Sequence, residues 1–360
     1  MSNNIFKGLP SKAYTDKNFW AKESKNIFEK NWVFVGFKHE LKNKGDVLPI
    51  NVAEQPILLI KESENKINAF HNVCSHRCLK LVDKAKNVGQ IISCPYHAWT
   101  YSNRGELIGI YGEETFGDVD RASMGLTELA CDESAGVIFV CLTPGKTFEL
   151  SEWLGEFADK LADQALHDWH LYTERYLSGA GWKATLDGYL EIYHHDSVHG
   201  KTVGPHTVGN LLVHDTWGAH QRMAIARKNI GELNESSPEA WTTPEAYIRV
   251  VHSVFPNLSI SAILGGQCLI GFIFPGETST TTMTRQLILS AKAPATDQEA
   301  EEVETFSQMT LQAVRDEDYA LVATVQNALH SGANDSFLIG RNEPAVQHYH
   351  QSIAAICGTG

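Results

Sequence analysis

The sequence predicts an α+β fold in two domains, and three observations carry that reading. At 360 residues the chain is longer than one hydrophobic core usually grows. Between Trp32 and about Pro144 it breaks into short β-rich runs punctuated by Gly, Asn and Lys. Toward the C-terminus, longer apolar strands are followed by one extended helical segment.

The first element expected is a helix over residues 16–31, DKNFWAKESKNIFEKN. Asp16 stands at the cap position, and Phe19, Trp20, Ile27 and Phe28 repeat at helical spacing. The runs WVFVGF, GDVLPINV, PILLIK, KINAFHNV, GQIISC and AGVIFVCL then read as strands of a small, mostly antiparallel β domain. Helical spacing returns over 151–170, after the Thr143-Pro144-Gly145 turn. HSVFPNLSISAIL, QCLIGFIFPG and TTTMTRQLILSA follow as strands, and the alternation of Leu258 and Ile260 predicts a sheet with one face covered. The last large element, 297–330, opens with acidic residues behind Thr296 and stops before Gly332. Its length predicts a bend or interruption, placed at Arg315-Asp316-Glu317-Asp318.

Composition excludes several classes. A formal charge of −13 disfavours nucleic acid and anionic membranes as partners, because both require clustered Lys and Arg. No run of about 18 apolar residues is present to span a bilayer. The N-terminus lacks the apolar core of a secretory signal, so a cytoplasmic location is expected. The seven Cys, odd in number and thinly spread, argue against a disulfide framework.

Two constellations carry chemistry. Cys74-x-His76 and Cys94-x2-His97 bring two thiolates and two imidazoles together. A structural zinc and a [2Fe–2S] cluster with unlike ligands on its two irons both use that set. Pairing one Cys with one His on each of two loops suits the cluster. CSHR and CPYHAWTY resemble the cluster-binding loops of Rieske proteins, and the chain up to Pro144 is similar to a Rieske domain throughout. The resemblance implies that Cys74 and Cys94 hold one iron and His76 and His97 the other. Tyr96 leaves no place for the second-loop Cys of the respiratory type, so the oxygenase type is indicated. Cys78 stands where many oxygenases have Gly and is expected to be a buried packing thiol.

The second constellation, GWKATLDGYLEIYHHDSVH, offers Asp187, Glu191, His194, His195, Asp196 and His199 within 13 positions. Two imidazoles and one carboxylate with open positions are the set by which non-haem Fe(II) binds O2 and substrate together. Helical geometry places His195 and His199 on one face and leaves His194 about 140° from His199. The segment resembles the W-K…E/D-N-Y-x-E/D-x-Y-H-x4-H motif of Rieske non-haem iron oxygenases, which implies instead His194 and His199, with the helix distorted or ended between them. The same resemblance places the third ligand at Asp318, in a pattern like E-D-x6-V-Q, with Asp316 as competitor. It also makes Glu191 a bridge between a ligating His and the cluster of a neighbouring subunit. Asp187, an acid of the same motif, is counted with Glu191 as catalytic. Gly188 departs from the family's Asn, so that polar side chain is not carried over.

The resemblance implies a Rieske [2Fe–2S] domain over 37–150, a helix-grip catalytic domain with a long C-terminal helix over 151–360, and an N-terminal segment, 1–36, packed on the latter. The implied activity is that of a terminal oxygenase component. It would take electrons from an NAD(P)H-dependent flavin/iron–sulfur reductase or a ferredoxin, act as a homotrimer, and use O2 to hydroxylate a small substrate, foremost an aromatic one. The alternatives are oxidative N- or O-demethylation or monooxygenation of a quaternary ammonium compound, the class that Glu191 in place of Asp suggests, or of a methoxy compound, and pure electron transfer. Phe255, Leu258, Ile260, Phe272 and Phe274 are candidate pocket residues. Arg222, Arg249 and Arg285 are candidate carboxylate binders, and Trp182, Tyr189 and Trp217 a candidate cation cage.

Overall fold

The computed structural model describes residues 6–145, 148–241, 246–264 and 266–358. The chain forms two compact units, Phe28–His167 and a second made of Met1–Ile27 with Asp168–Gly360. Residues 28–36 and 151–167, expected with the catalytic part, thus fall in the cluster unit. Among the described residues no helix is long and apolar enough to cross a membrane.

In the unit Phe28–His167, a seven-stranded antiparallel sheet runs in the order Trp32–Phe37, Val137–Cys141, Glu128–Ser134, Lys66–His71, Gln55–Ser63, Asp46–Val52 and Lys86–Asn87. Its β-branched and aromatic runs fit a pleated, buried surface, and Trp32–Phe37 is buried at every position. Two-residue turns join two of the hairpins, with Ala53 and Glu54 and then Ala135 and Gly136 in the left-handed conformation such turns require. At Gly136 a Cβ would lie 2.7 Å from the Cβ of His167, so only Gly fits. A second sheet, Ile91–Ser93, Thr100–Ser102 and Leu107–Gly109, carries one of the cluster loops in its first hairpin. Leu58, Ile60, Phe70, Trp99 and Tyr101 form the core against which Cys74 and Cys94 are buried.

The other unit is built on a seven-stranded antiparallel sheet in the order His170–Gly179, Thr282–Ser290, Gln267–Pro275, Leu258–Leu264, Ile248–Val254, His220–Arg227 and Thr207–Trp217. The expectation of one covered face is too weak for its centre, because Gln267–Pro275 and Thr282–Ser290 are buried along nearly their whole lengths. Leu177, Leu269 and Ile288 of the sheet pack on Val303, Phe306, Val314 and Tyr319 of the C-terminal helical segment.

That segment starts where expected. Thr296 Oγ1 accepts from the Glu299 N–H, capping the α-helix Asp297–Leu311. The expected interruption is a π-helical stretch, Gln312–Tyr319, after which α-helix resumes over Ala320–Ala328. At the other end of the chain, Asp16 caps the helix Lys17–Glu23 by accepting from the N–H groups of Asn18 and Phe19 at 2.7 and 2.8 Å. Strands His170–Gly179, Thr207–Trp217 and His220–Arg227 and the helix Pro344–Cys357 lacked a clear apolar period and are revealed by the structure.

Candidate active site

The two Cys–His loops adopt the same backbone design. The N–H of Cys78 donates to the Cys74 carbonyl at 2.9 Å, and that of Ala98 to the Cys94 carbonyl at 3.0 Å. The N–H groups of Cys74 and Cys94 then close each loop on Leu79 and Trp99, both at 2.8 Å. Cys78 and Ala98 occupy equivalent left-handed positions, with φ of 56° and 54°. Cys78 is exposed, which corrects its reading as a buried packing thiol. Its place is set by the turn, and a left-handed φ explains why Gly serves there in relatives of this motif.

His76 and His97 face each other with ring centroids 4.7 Å apart, and His76 stacks on Trp99 at 4.8 Å. Both Nδ1 atoms are buried and have no hydrogen-bond partner among the described residues. Two enclosed nitrogen lone pairs beside two buried thiols are the donor set a [2Fe–2S] group with unlike irons needs, so the residues fit it. Tyr101 OH lies 3.2 Å from Cys74 Sγ and 2.8 Å from Ser75 Oγ. Burial, with the Cys74 hydrogen bond, pushes the Tyr101 phenol up to about 12 and keeps it protonated.

In the catalytic unit, helix His195–Val198 is a single turn, with His194 as its N-cap and His199 as its C-cap. The 140° separation of an unbroken helix therefore does not apply. His194 Nε2 and His199 Nε2 lie 3.1 Å apart, and Asp318 Oδ1 is 3.4 Å from the first and 3.0 Å from the second. Three atoms on one face of an octahedron with bonds of about 2.1 Å are separated by about 3 Å, so this triangle fits one divalent ion.

Each imidazole is oriented from behind. Glu191 Oε1 meets His194 Nδ1, while Oε2 accepts from the N–H groups of Tyr193 and His194 at 2.5 and 3.1 Å. Glu317 Oε2 meets His199 Nδ1 at 2.6 Å and accepts from the Thr202 hydroxyl at 2.7 Å. These bonds fix the tautomer that leaves Nε2 free on both rings. Burial works against the charged imidazolium, yet Asp318 and Glu191 raise His194 to about 9, so without a metal ion the ring holds a second proton, at Nε2 beside Asp318, that a bound ion would displace. Three carboxylates around two imidazoles leave a negative excess that a bound cation would balance.

His195 is near but differently placed. The three imidazoles each present a nitrogen within 4.8 Å of the others. The Thr207 hydroxyl donates to the Val203 carbonyl and so accepts from His195 Nδ1 at 3.2 Å. Burial, with Arg249 and the neighbouring His, pushes His195 down to about 2, so it is neutral. Asp316 pairs with Arg315 at 2.6 Å and is not bonded to the His pair. Asp187 accepts from Tyr14 OH at 2.7 Å and His350 Nε2 at 2.9 Å, while His350 Nδ1 accepts from the Leu9 N–H. Its hydrogen bonds among the described residues therefore tie three chain segments together and do not reach the His194–His199–Asp318 triangle.

A cleft of about 570 Å³, including its open mouth, adjoins the triangle. Met223, Ile225, Val251 and Leu269 line it, with Tyr189 and Arg249. The expected Phe255, Leu258, Ile260, Phe272 and Phe274 do not line this cleft and are instead core residues, 0–6% exposed. Leu258, Ile260 and Phe272 alternate out of phase with the lining row, in which Met223 pairs with Val251, Val251 with Ser261 and Ser261 with Leu269. Trp182 is fully buried and donates to Glu23, and Trp217 lies under Arg222, so the expected cation cage does not assemble. An added Cβ at Gly188 would find only Val322 Cγ2, at 3.9 Å, so the missing Asn side chain leaves open space.

Residues 31–118 match the Rieske [2Fe–2S] domain, and residues 166–359 match the catalytic domain of the ring-hydroxylating alpha subunit. The chain belongs to the ring-hydroxylating oxygenase alpha subunits. It is 28% identical to the carnitine monooxygenase oxygenase subunit of Escherichia coli K12, over 97% of this chain and 93% of that one. It is also 28% identical to the anthranilate 1,2-dioxygenase large subunit of Acinetobacter baylyi, over 69% of this chain and 54% of that one. The crystal structure of a quaternary ammonium Rieske monooxygenase shares the fold with a TM-score of 0.84 at 22% identity, covering 98% of this chain and 96% of that one. Naphthalene 1,2-dioxygenase from Rhodococcus sp. gives 0.75 at 20% identity, over 97% and 94%. This ring-hydroxylating subunit is thus a terminal Rieske oxygenase with a [2Fe–2S] domain and a non-haem iron type of catalytic domain.

Proposed function

We propose that this terminal oxygenase inserts oxygen into a C–H bond of a small quaternary ammonium substrate, with His194, His199 and Asp318 holding the mononuclear iron and Cys74, His76, Cys94 and His97 the cluster. The observation that carries the reading is the triangle of His194 Nε2, His199 Nε2 and Asp318 Oδ1, whose sides are 3.0–3.4 Å. The substrate class is supported by likeness to a carnitine monooxygenase along nearly its whole length and by Glu191 at the bridging position. When bound, the cluster supplies single electrons and the iron supplies O2 activation. The residues of the chain position and protect that chemistry. Glu191 and Glu317 keep the Nδ1 protons of His194 and His199, and so hold both Nε2 lone pairs toward one point. Met223, Ile225, Val251 and Leu269 exclude water from the reacting carbon. Overall, substrate C–H, O2, two electrons and two protons give the alcohol and water; hydroxylation beside nitrogen then releases the amine and a carbonyl compound.

The Glu191 bridge to a neighbouring cluster requires a ring of subunits, and a head-to-tail homotrimer closes one. None of the seven cysteines, all among the described residues, is in a disulfide, and we place the protein's work in the cytoplasm. A second reading, hydroxylation of an aromatic acid, is favoured by the apolar cleft and the anthranilate dioxygenase likeness. Purified protein supplied with NADH and a Rieske reductase separates them: O2 uptake and product mass are followed with glycine betaine, carnitine, benzoate and anthranilate. Amine release from the first pair supports the proposal and ring oxygenation of the second pair the alternative. Electron consumption that no substrate stimulates, with no oxygenated product, would leave an electron carrier.

A further inference from the structure

The arginines of the catalytic sheet are not equivalent. Arg222 is held by Asp215 Oδ2, with Nη2 at 2.6 Å and Nε at 3.0 Å. Arg285 is gripped by both oxygens of Glu174, at 3.1 and 3.0 Å, and lies over Phe272. Neither lines the cleft. Arg249 does, and among the described residues no carboxylate forms an ion pair with it. Its Nη2 donates to Ser261 Oγ at 2.8 Å, and its Nε is buried without a partner. Burial and the neighbouring Arg227 lower its pKa to about 10, with Asp318 the offsetting charge, so it remains a cation at neutral pH.

Leaving a desolvated guanidinium without a counter-ion is costly, and proteins normally pair such a group. A carboxylate that enters the cleft would supply such a partner. Arg249 pairs in register with Ile225, two residues before Val251, and so stands on the same sheet face beside the row that runs from Met223 through Val251 and Ser261 to Leu269. The same cleft is bounded by His194, His199 and Asp318. A second small cavity shares Val203 and Arg249 with it and adds Arg227 and His206, continuing the basic lining outward.

We infer that Arg249 anchors a substrate carboxylate, so that the substrates of this oxygenase are small carboxylic acids held by the acid group with the carbon to be oxidised directed toward the iron ligands. The fork of Nε–H and Nη–H matches a carboxylate, and Ser261 holds the guanidinium plane from the side. This inference rests on the reading of the cleft as the oxygenation site, and it narrows both substrate classes considered above to their acids.

The test is equilibrium binding without turnover. Iron-loaded protein is titrated anaerobically by calorimetry with matched probes: carnitine and carnitinamide, glycine betaine and its amide, benzoate and benzamide. Wild type is expected to bind the acid of at least one pair at least tenfold more tightly than its amide. Arg249→Gln should weaken that acid by about tenfold to a hundredfold, the range for a lost charge-assisted hydrogen-bond pair, and leave the amide unchanged. Arg249→Lys should restore part of the loss, and iron content and circular dichroism should match wild type in both variants. Equal binding of acid and amide by wild type, binding of none of the acids, or undiminished acid binding by Arg249→Gln would each overturn the assignment. Because neither O2 nor reductase is present, failure of turnover would count against the oxygenase reading and leave this result standing.

Discussion

Removing Glu317 should loosen the mononuclear iron without touching a ligand. Glu317 Oε2 accepts from His199 Nδ1 at 2.6 Å and from Thr202 at 2.7 Å, and Gln312 Nε2 donates to Oε1 at 3.0 Å. His199 is 3% exposed at its side chain, so water does not readily replace the lost acceptor. A hydrogen bond to a charged group contributes about 1.5–3 kcal/mol, which corresponds to a factor of roughly 10 to 150 in affinity. Loss of the partner behind a metal-bound His generally costs about 10–100-fold, in agreement. Glu317→Ala is therefore expected to raise the Fe(II) dissociation constant 10–100-fold in competition with a chromophoric chelator. Glu317→Gln, which keeps an acceptor oxygen without the charge, should lose less. Far-UV circular dichroism and the thermal unfolding midpoint, unchanged from wild type, provide the folding control. Iron affinity in Glu317→Ala within about threefold of wild type would show that Glu317 does not support the His199 ligand, since a net hydrogen bond of even about 1 kcal/mol exceeds that.

Three further outcomes are expected. Tyr101→Phe removes the hydroxyl 3.2 Å from Cys74 Sγ and should lower the cluster potential by about 40 mV, the one-electron equivalent of about 1 kcal/mol; an unchanged midpoint in redox titration would show that this contact does not tune the cluster. Lys183→Ala should destabilise the catalytic unit by about 3–5 kcal/mol in denaturant unfolding, because Lys183 and Glu23 form a pair at 2.5 Å with side chains 1% and 0% exposed. A loss below about 1 kcal/mol would mean that Glu23 finds other compensation. His195→Ala should retain mononuclear iron by metal analysis while His194→Ala, His199→Ala and Asp318→Ala lose it, because Asp318 Oδ1 stands 3.4 and 3.0 Å from Nε2 of His194 and His199 and carboxylates back those two rings, whereas a neutral hydroxyl, that of Thr207, meets His195 Nδ1; iron loss in His195→Ala would make it a ligand.

Local chemistry made much of this molecule legible. The Cys–His pairs lie close in sequence on two short loops, so spacing alone brought them together. The caps at Asp16 and Thr296 and the break at 315–318 follow from side chains acting within one turn. Contacts set by register were not legible. Alternation in Leu258–Leu264 and Gln267–Pro275 distinguishes two sheet faces but does not say which one borders the cleft, so the apolar residues of the other face were chosen. Arg222, Arg249 and Arg285 are alike until Asp215 and Glu174 take two of them. Treating 194–199 as unbroken helix favoured His195, whereas the helix is one turn with both ligand candidates as its caps. In the sequence Glu317 stands out only as the neighbour of Asp318. The π-helical stretch Gln312–Tyr319 lets adjacent carboxylates serve opposite nitrogens of His199, an arrangement that no α-helical period suggests.

In the proposed reaction the cluster and the iron held by His194, His199 and Asp318 together oxygenate a bound substrate. Single turnover tests it most directly. Protein filled with both kinds of iron is reduced, freed of reductant and mixed with carnitine, glycine betaine or anthranilate and with ¹⁸O2, while cluster oxidation and product are followed together. Clusters are expected to be oxidised at the rate of product formation, and the oxygen introduced into the product to carry ¹⁸O at the moment of its formation. Cluster oxidation with no oxygenated product from any substrate, or product oxygen derived from water alone at its formation, would contradict it.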